Sequence, residues 1–279
     1  MRRIIGAALF VALVVTTGGR RAAAQSPALF TGRDAALVGA ATAGSVALSF
    51  LDAQIARTFN DSVRQLRSPA LRTFAKRSSI VTETVLMLGG ISVYGIARAS
   101  GGSENARSTA DVALHTTEAV AAGALFIQVI RGALGRARPY VVDSSRGRHY
   151  LRDTRPHEFR FLQGFRSFDY RSFPSMHAMA SVAAATALTR EMRLRHTPHR
   201  EVIGPSLYAL SALPALSRMY LDAHWASDIA MGAFLGVVAG QKAVDYSHEQ
   251  PRNRVDRAFL RATVIRANDG ALSLSFSPF

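Results

Sequence analysis

The chain has no cysteine, which excludes disulfide bridges and thiolate metal centres but leaves the compartment open. Charged residues make up only 19% of its 279 residues against 48% hydrophobic ones, so a disordered chain is excluded too. Acidic residues are the scarce kind. There are 19 Asp and Glu against 34 Lys and Arg, a formal net charge of +15 carried almost wholly by arginine. That imbalance favours anionic partners such as phosphate esters or acidic lipid surfaces. A nucleic-acid partner is not expected, because no basic patch interleaved with aromatics and no known nucleic-acid module is present.

Long hydrophobic runs are scarce at the N-terminus as well. "MRRIIGAALFVALVV" places Arg2 and Arg3 before an apolar run from Ile4 to Val15, too short for a comfortable span of about 20 residues. With Ala22 and Ala24 after it, the stretch has the three-part layout of a secretory signal, residues 1–24. Cleavage after Ala24 would remove Arg2, Arg3, Arg20 and Arg21 and lower the net charge from +15 to +11.

Six apolar segments with helical character follow: Asp34–Asp52, Ile80–Arg98, Ala110–Arg131, His177–Arg190, Val202–Ser217 and Ala226–Lys242. Asp34 is the expected N-cap of the first. An arginine-rich connection, Gly132–Phe173, separates three helices from three. The fold class expected is all-α, a six-helix bundle over residues 25–248. A polar linker and a short β-hairpin turning at Asn268-Asp269-Gly270 are expected over residues 249–279. Glu83, His115 and Glu118 interrupt two of the apolar segments. Six spans with a cleaved signal would put the Gly132–Phe173 connection inside; an external site would need a helical domain that does not fully span. Both remain open, so the location expected is exported, periplasmic or membrane-associated, with an integral membrane protein among the readings.

Three polar stretches stand out. "SRMYLDAHWASD" carries Arg218, His224 and Asp228. The last two are four apart, so on a helix they would share a face, and the carboxylate could fix the imidazole tautomer. Taken alone, this is more simply a buried polar triad tying helices together. "FPSMHAMAS" places Pro174, Ser175, Met176 and His177 at the start of an apolar helix, where free amides favour an anion, although Pro and Ser also make ordinary caps. "RGALGRARPY" places Arg131 and Arg138 seven apart, able to face one phosphate. Ten arginines fall between Arg131 and Arg171, and most are expected to be solvated.

Together these stretches resemble the three ordered motifs of the type 2 phosphatidic acid phosphatase and vanadium haloperoxidase superfamily, on its phosphatase side. Five residues separate Arg218 from His224 and three separate His224 from Asp228, as in the third motif. The chain departs from the family's pattern at Arg131, where lysine is usual, and at Met176, where glycine is usual. Met176 is expected to narrow the pocket while keeping its backbone N–H for phosphate.

The resemblance implies a metal-independent phosphatase acting on phosphomonoesters or on lipid or isoprenoid (di)phosphates. His224 would be the nucleophile, forming a phosphohistidine, with Asp228 orienting it. His177 would be acid and then base. Arg131, Arg138, Ser175, Met176 and Arg218 would hold the phosphate. No metal and no cofactor is implied; vanadate would be an inhibitor. Two alternatives are a vanadate-dependent haloperoxidase, with vanadate as cofactor, and a non-catalytic phosphate or lipid-headgroup binder. The partner implied is a phosphorylated small molecule or lipid; nothing implies an oligomeric state.

Overall fold

The structure is a computed structural model describing residues 29–59, 68–100, 102–143, 148–151, 155–251, 262–266 and 272–276. The expected signal, residues 1–24, lies outside the described residues.

Helix α1 (Gly32–Ser49) begins at Thr31 rather than at Asp34. Asp34 instead sits three residues in and accepts from the Thr31 N–H at 2.7 Å, closing a capping box. Two short helices follow, α2 (Asp52–Phe59) and α3 (Pro69–Ser78). Apart from Asp52 they fall between the first two expected apolar segments, Asp34–Asp52 and Ile80–Arg98, where no helix was expected. Helix α4 (Glu83–Ala99) is capped by Thr82, and α5 (Glu104–Leu134) by Ser103. Helix α5 starts six residues before the expected Ala110.

Helix α5 ends on Gly135 in the left-handed region, φ 59°. A Cβ there would lie 1.8 Å from the Arg160 carbonyl oxygen, so only glycine fits both the conformation and the contact. The connection then holds an antiparallel pair, β1 (Tyr140–Asp143) with β2 (Arg148–Leu151), the short helix α6 (Gln163–Arg166) and a 3-10 turn at Phe168–Tyr170. Helices α7 (Met176–Leu194), α8 (Arg200–Tyr220) and α9 (Ala226–Glu249) complete the helical part. Residues Ala262–Arg266 (β3) and Leu272–Phe276 (β4) pair antiparallel. The turn expected at Asn268–Gly270 lies outside the described residues.

Helix α7 is the centre, packed by α5, α8 and α9 and more lightly by α4, while α1 lies against α9. Its alanines explain the position. Ala178, Ala180, Ala183 and Ala187 are fully buried, as only small side chains can be on a helix packed from several sides. Helix α9 answers with Gly232 and Gly236 four apart. A Cβ on them would sit 2.5 Å from the Ser175 oxygen and 2.6 Å from the Met179 oxygen. The close approach brings the N-terminal ends of α7 and α9 together, and the polar motifs lie at that end.

The outer helices present the opposite pattern. Leu37 and Val46 of α1, Leu88, Ile91 and Ile96 of α4, Leu125 and Val129 of α5, and Val202, Leu210 and Leu216 of α8 are exposed. Among the described residues, α5 alone is by length and composition able to cross a membrane; the bent pairs α1–α2 and α3–α4 raise the number to three if each is one span. The fold is all-α in its helical part, with membrane-span candidates among its outer elements.

Candidate active site

The third motif does not lie on one helix. Arg218 is in the last turn of α8, and His224 precedes the start of α9 at Ala226. The turn between them is fixed by backbone bonds: Ala223 N–H donates to the Arg218 carbonyl at 2.9 Å, and Asp222 takes φ 59°. Asp228, in the first turn of α9, accepts from the Trp225 N–H at 2.8 Å. The four-residue spacing therefore works through a helix cap rather than through a shared helix face.

That geometry changes who orients the imidazole. Nδ1 of His224 is 2.8 Å from the Ser172 carbonyl oxygen and 3.6 Å from Asp228 Oδ2. A carbonyl can only accept, so Nδ1 carries the proton and Nε2 keeps its lone pair. Asp228 acts on this arrangement from behind by accepting from the Ser172 hydroxyl. Its other oxygen accepts from Nη1 of Arg136.

Arg136, Asp52, Ser172 and Ser227 were not singled out from the sequence. Arg136 is 1% exposed, yet every face of its guanidinium is used. Nε donates to the Pro156 carbonyl at 2.8 Å, Nη1 to Ser227 Oγ at 2.8 Å as well as to Asp228, and Nη2 to Asp52 Oδ2 at 2.7 Å. Asp52 in turn accepts from the Ser227 N–H at 2.9 Å. One buried cation thus joins α2, the start of α9 and the segment after α5. In sequence it was one of nine arginines in the connection Gly132–Phe173, and its carboxylate partners are 84 and 92 residues away.

The three expected phosphate-binding arginines differ in how their donors are used. Arg138 stacks on Phe168, 4.1 Å from the ring centroid. It donates to the carbonyls of Phe168 (3.1 Å), Ala223 (2.9 Å) and Arg171 (3.3 Å). Three of its five N–H donors are used there, and the other two meet no acceptor among the described residues. Arg131, in the last turn of α5, donates from Nε to Gln128 at 2.7 Å; its terminal nitrogens meet no acceptor among the described residues. Arg218 stands out most: its Nε is enclosed, with no acceptor among the described residues. A largely buried guanidinium without an acceptor is costly unless an anion completes it.

The second motif supplies the opposite wall. Ser175 caps α7 and is fully buried, its N–H donating to the Asp228 carbonyl at 3.0 Å. His177 places Nε2 3.1 Å from the Ser79 carbonyl oxygen between α3 and α4. Met176 is not where the sequence reading put its side chain. It is 4% exposed and packs into the core with Val120, Ile127 and Met179, so it does not narrow the site. Only its backbone N–H, in the orphan first turn of α7, remains available to an anion. Met176→Gly should therefore cost about 3–5 kcal/mol from the cavity and the added backbone freedom. Thermal or denaturant unfolding measures it; an unchanged midpoint would contradict the core placement.

The electrostatics are those of an anion site. Burial, then the charges of Arg138 and Arg218, push His224 down to about 3 against the pull of Asp228. Burial and then Arg218, with Arg138 and Arg131 adding, push His177 down to about 4. Burial lowers Arg138 to about 10, which leaves it a cation at neutral pH. Two neutral imidazoles therefore face a group of cations.

The structure brings Arg131, Arg138, Ser175, His177, Arg218, His224 and Asp228 to one end of the bundle. It adds Arg136, Asp52 and Ser172 behind them. The fold is similar to that of a transmembrane PAP2-type phosphatidylglycerolphosphate phosphatase from Bacillus subtilis, with a TM-score of 0.51 and 15% identity. The likeness covers 78% of this chain and 98% of that one. No curated protein sequence matches. Residues 113–251, which hold all three motifs, match the PAP2 superfamily. On that match, and with the motifs gathered at one end of the helical fold, the chain belongs to the PAP2 superfamily.

Proposed function

We propose that the protein is a metal-independent phosphatase of the PAP2 superfamily that hydrolyses lipid phosphates through a phosphohistidine on His224. The enclosed Nε of Arg218 carries the reading, because it has no acceptor among the described residues and a bound phosphate would supply one. Exposed apolar residues on α1, α4, α5 and α8 support membrane association, and with it a phosphate presented on a lipid.

In the first step Nε2 of His224 attacks phosphorus, the P–N bond forms and the P–O bond to the alcohol breaks. The leaving oxygen takes a proton from His177. With Nε2 held by Ser79, Nδ1 of His177 is the nitrogen left for that transfer. The positive charge developing on the His224 ring is stabilised by the Ser172 carbonyl and by Asp228. In the second step His177 takes a proton from water, water attacks phosphorus and the P–N bond breaks. Arg131, Arg138, Arg218 and the first-turn amides of α7 hold the three equatorial oxygens throughout.

Phosphate release from phosphatidic acid in mixed micelles should persist in a chelator and should be blocked by low vanadate, which mimics the trigonal-bipyramidal transition state. Loss of turnover in the chelator, restored by a divalent metal, would contradict the mechanism. Halide oxidation with added vanadate but no phosphate release would assign the chain to haloperoxidase chemistry instead.

The pH profile follows from the two histidines. His224 must be neutral to attack, which holds above about pH 3. His177 must be protonated to serve an alkoxide, and in the free enzyme that fraction falls as pH rises through about 4. The value of kcat/KM for an alkyl phosphate should thus peak below pH 6 and fall toward neutrality. A profile that rises from pH 5 to 8 would contradict the role of His177.

A further inference from the structure

Far from the phosphate site, three helices bring a second set of titratable groups together. His115 comes from the first half of α5, Glu191 from the C-terminal end of α7 and His248 from the C-terminal end of α9. Along these helices they stand 16, 14 and 20 residues from Arg131, His177 and Asp228. That separation is about 20–30 Å at 1.5 Å per residue.

Nδ1 of His115 is 2.6 Å from Glu191 Oε1, Nε2 of His248 is 2.9 Å from the same oxygen, and all three candidate ligand atoms lie within 4.8 Å of one another. The two rings meet edge to face with centroids 5.5 Å apart. Glu191 is fully buried, and its second oxygen is fixed by Arg195 Nε at 2.7 Å. Arg195 is itself held by Ser108 at 2.8 Å.

We propose that His115, Glu191 and His248 form a zinc-binding site that ties α5, α7 and α9 together at the end of the bundle remote from the phosphatase centre. Two imidazole nitrogens and one carboxylate oxygen are a donor set suited to Zn²⁺. Around an ion at about 2.0–2.2 Å from each ligand, neighbouring donor atoms of a tetrahedron stand about 3.3 Å apart. From 2.6 and 2.9 Å the two nitrogen–oxygen spacings would open by roughly 0.4–0.7 Å to reach that value. Each neutral ring would turn its lone pair to the ion and keep its proton on the nitrogen facing away, Nε2 in His115 and Nδ1 in His248. The Arg195–Ser108 contacts act as the outer shell that holds the carboxylate in place. The His248 side chain is 34% exposed, which gives the ion an entry path and leaves the fourth position to water.

A hydrogen-bonded triad could hold this geometry without an ion, and the experiment separates the two. The full-length protein in detergent, stripped by a chelator and dialysed, is titrated with Zn²⁺ by calorimetry and with Co²⁺ by visible absorption. One equivalent of Zn²⁺ and the intense visible bands of four-coordinate Co²⁺ are expected. Zn²⁺ should also raise the unfolding temperature. His248→Ala, at the exposed ligand, should weaken binding about a hundredfold or more, since even outer-shell changes cost roughly 10–100-fold. Glu191→Gln, which keeps the shape and one acceptor, should do the same. His177→Ala should bind as the wild type does. Absence of saturable binding to the wild type would leave a hydrogen-bonded triad only and overturn the proposal. Binding that survives both His248→Ala and Glu191→Gln would place the ion elsewhere and overturn it as well. Because binding is read without turnover, the outcome is independent of the phosphatase reading, and turnover should survive removal of this ion.

Discussion

Arg136→Met should destabilise the protein by about 3–5 kcal/mol, the cost of leaving buried carboxylates without their cation. Asp52 and Asp228 are both fully buried, and both take their charge partner from this one guanidinium. Methionine fills similar space but donates nothing. The first consequence should be a lowered unfolding midpoint. The second should be loss of turnover even where the variant is still folded, because Asp228 then no longer holds the Ser172 hydroxyl, whose backbone carbonyl holds Nδ1 of His224. Adding Asp52→Asn to Arg136→Met removes one of the two orphaned charges and should recover part of the stability but not the activity. Equal stability of Arg136→Met and wild type in denaturant unfolding would show that the network carries no folding energy.

His177→Ala should divide substrates by leaving group. With a nitrophenolate, which needs no proton as the bond breaks, phosphoenzyme formation should persist. With an alkyl phosphate it should fall by about 10²–10⁴-fold, the usual range for a positioned general acid. Water attack should slow for both, because the same ring serves as base in the second step. A trapped phosphohistidine should therefore accumulate with the nitrophenyl ester. The structural basis is the His177 position beside three arginines and against the Ser79 carbonyl. Equal losses with both substrates in rapid-quench kinetics would make His177 a binding group rather than an acid.

The helical core could be read in the sequence because long apolar runs survive in it whatever the tertiary context. Helix α9 starts at the expected Ala226, and α7 one residue before the expected His177. Helices α2 and α3 were hidden because their short lengths, 8 and 10 residues, give little periodicity. Chemistry carried by local spacing could be read too, as with Arg218, His224 and Asp228. Chemistry assembled across the chain could not. Arg136 meets Asp52 only when α2 folds against the start of α9, and nothing local distinguishes it from the solvated arginines beside it. Met176 failed for a different reason: its position in the motif was legible, but the direction of its side chain was set by α5, some 50 residues earlier. The His115–Glu191–His248 cluster is likewise assembled across the chain, with ligands 76 and 57 residues apart; His115 stood out only as a polar interruption, and Glu191 and His248 fall just beyond the expected segment ends at Arg190 and Lys242.

Trapping by an alkaline denaturing quench with phosphate-labelled substrate, followed by identification of the labelled residue, tests the central claim most directly. The wild-type enzyme should yield an acid-labile, base-stable phosphoenzyme labelled at His224. His224→Ala should yield none and release no phosphate, while Asp228→Asn should trap a reduced amount. Label recovered on His224→Ala, or on any other residue of the wild type, would contradict the account and require another nucleophile.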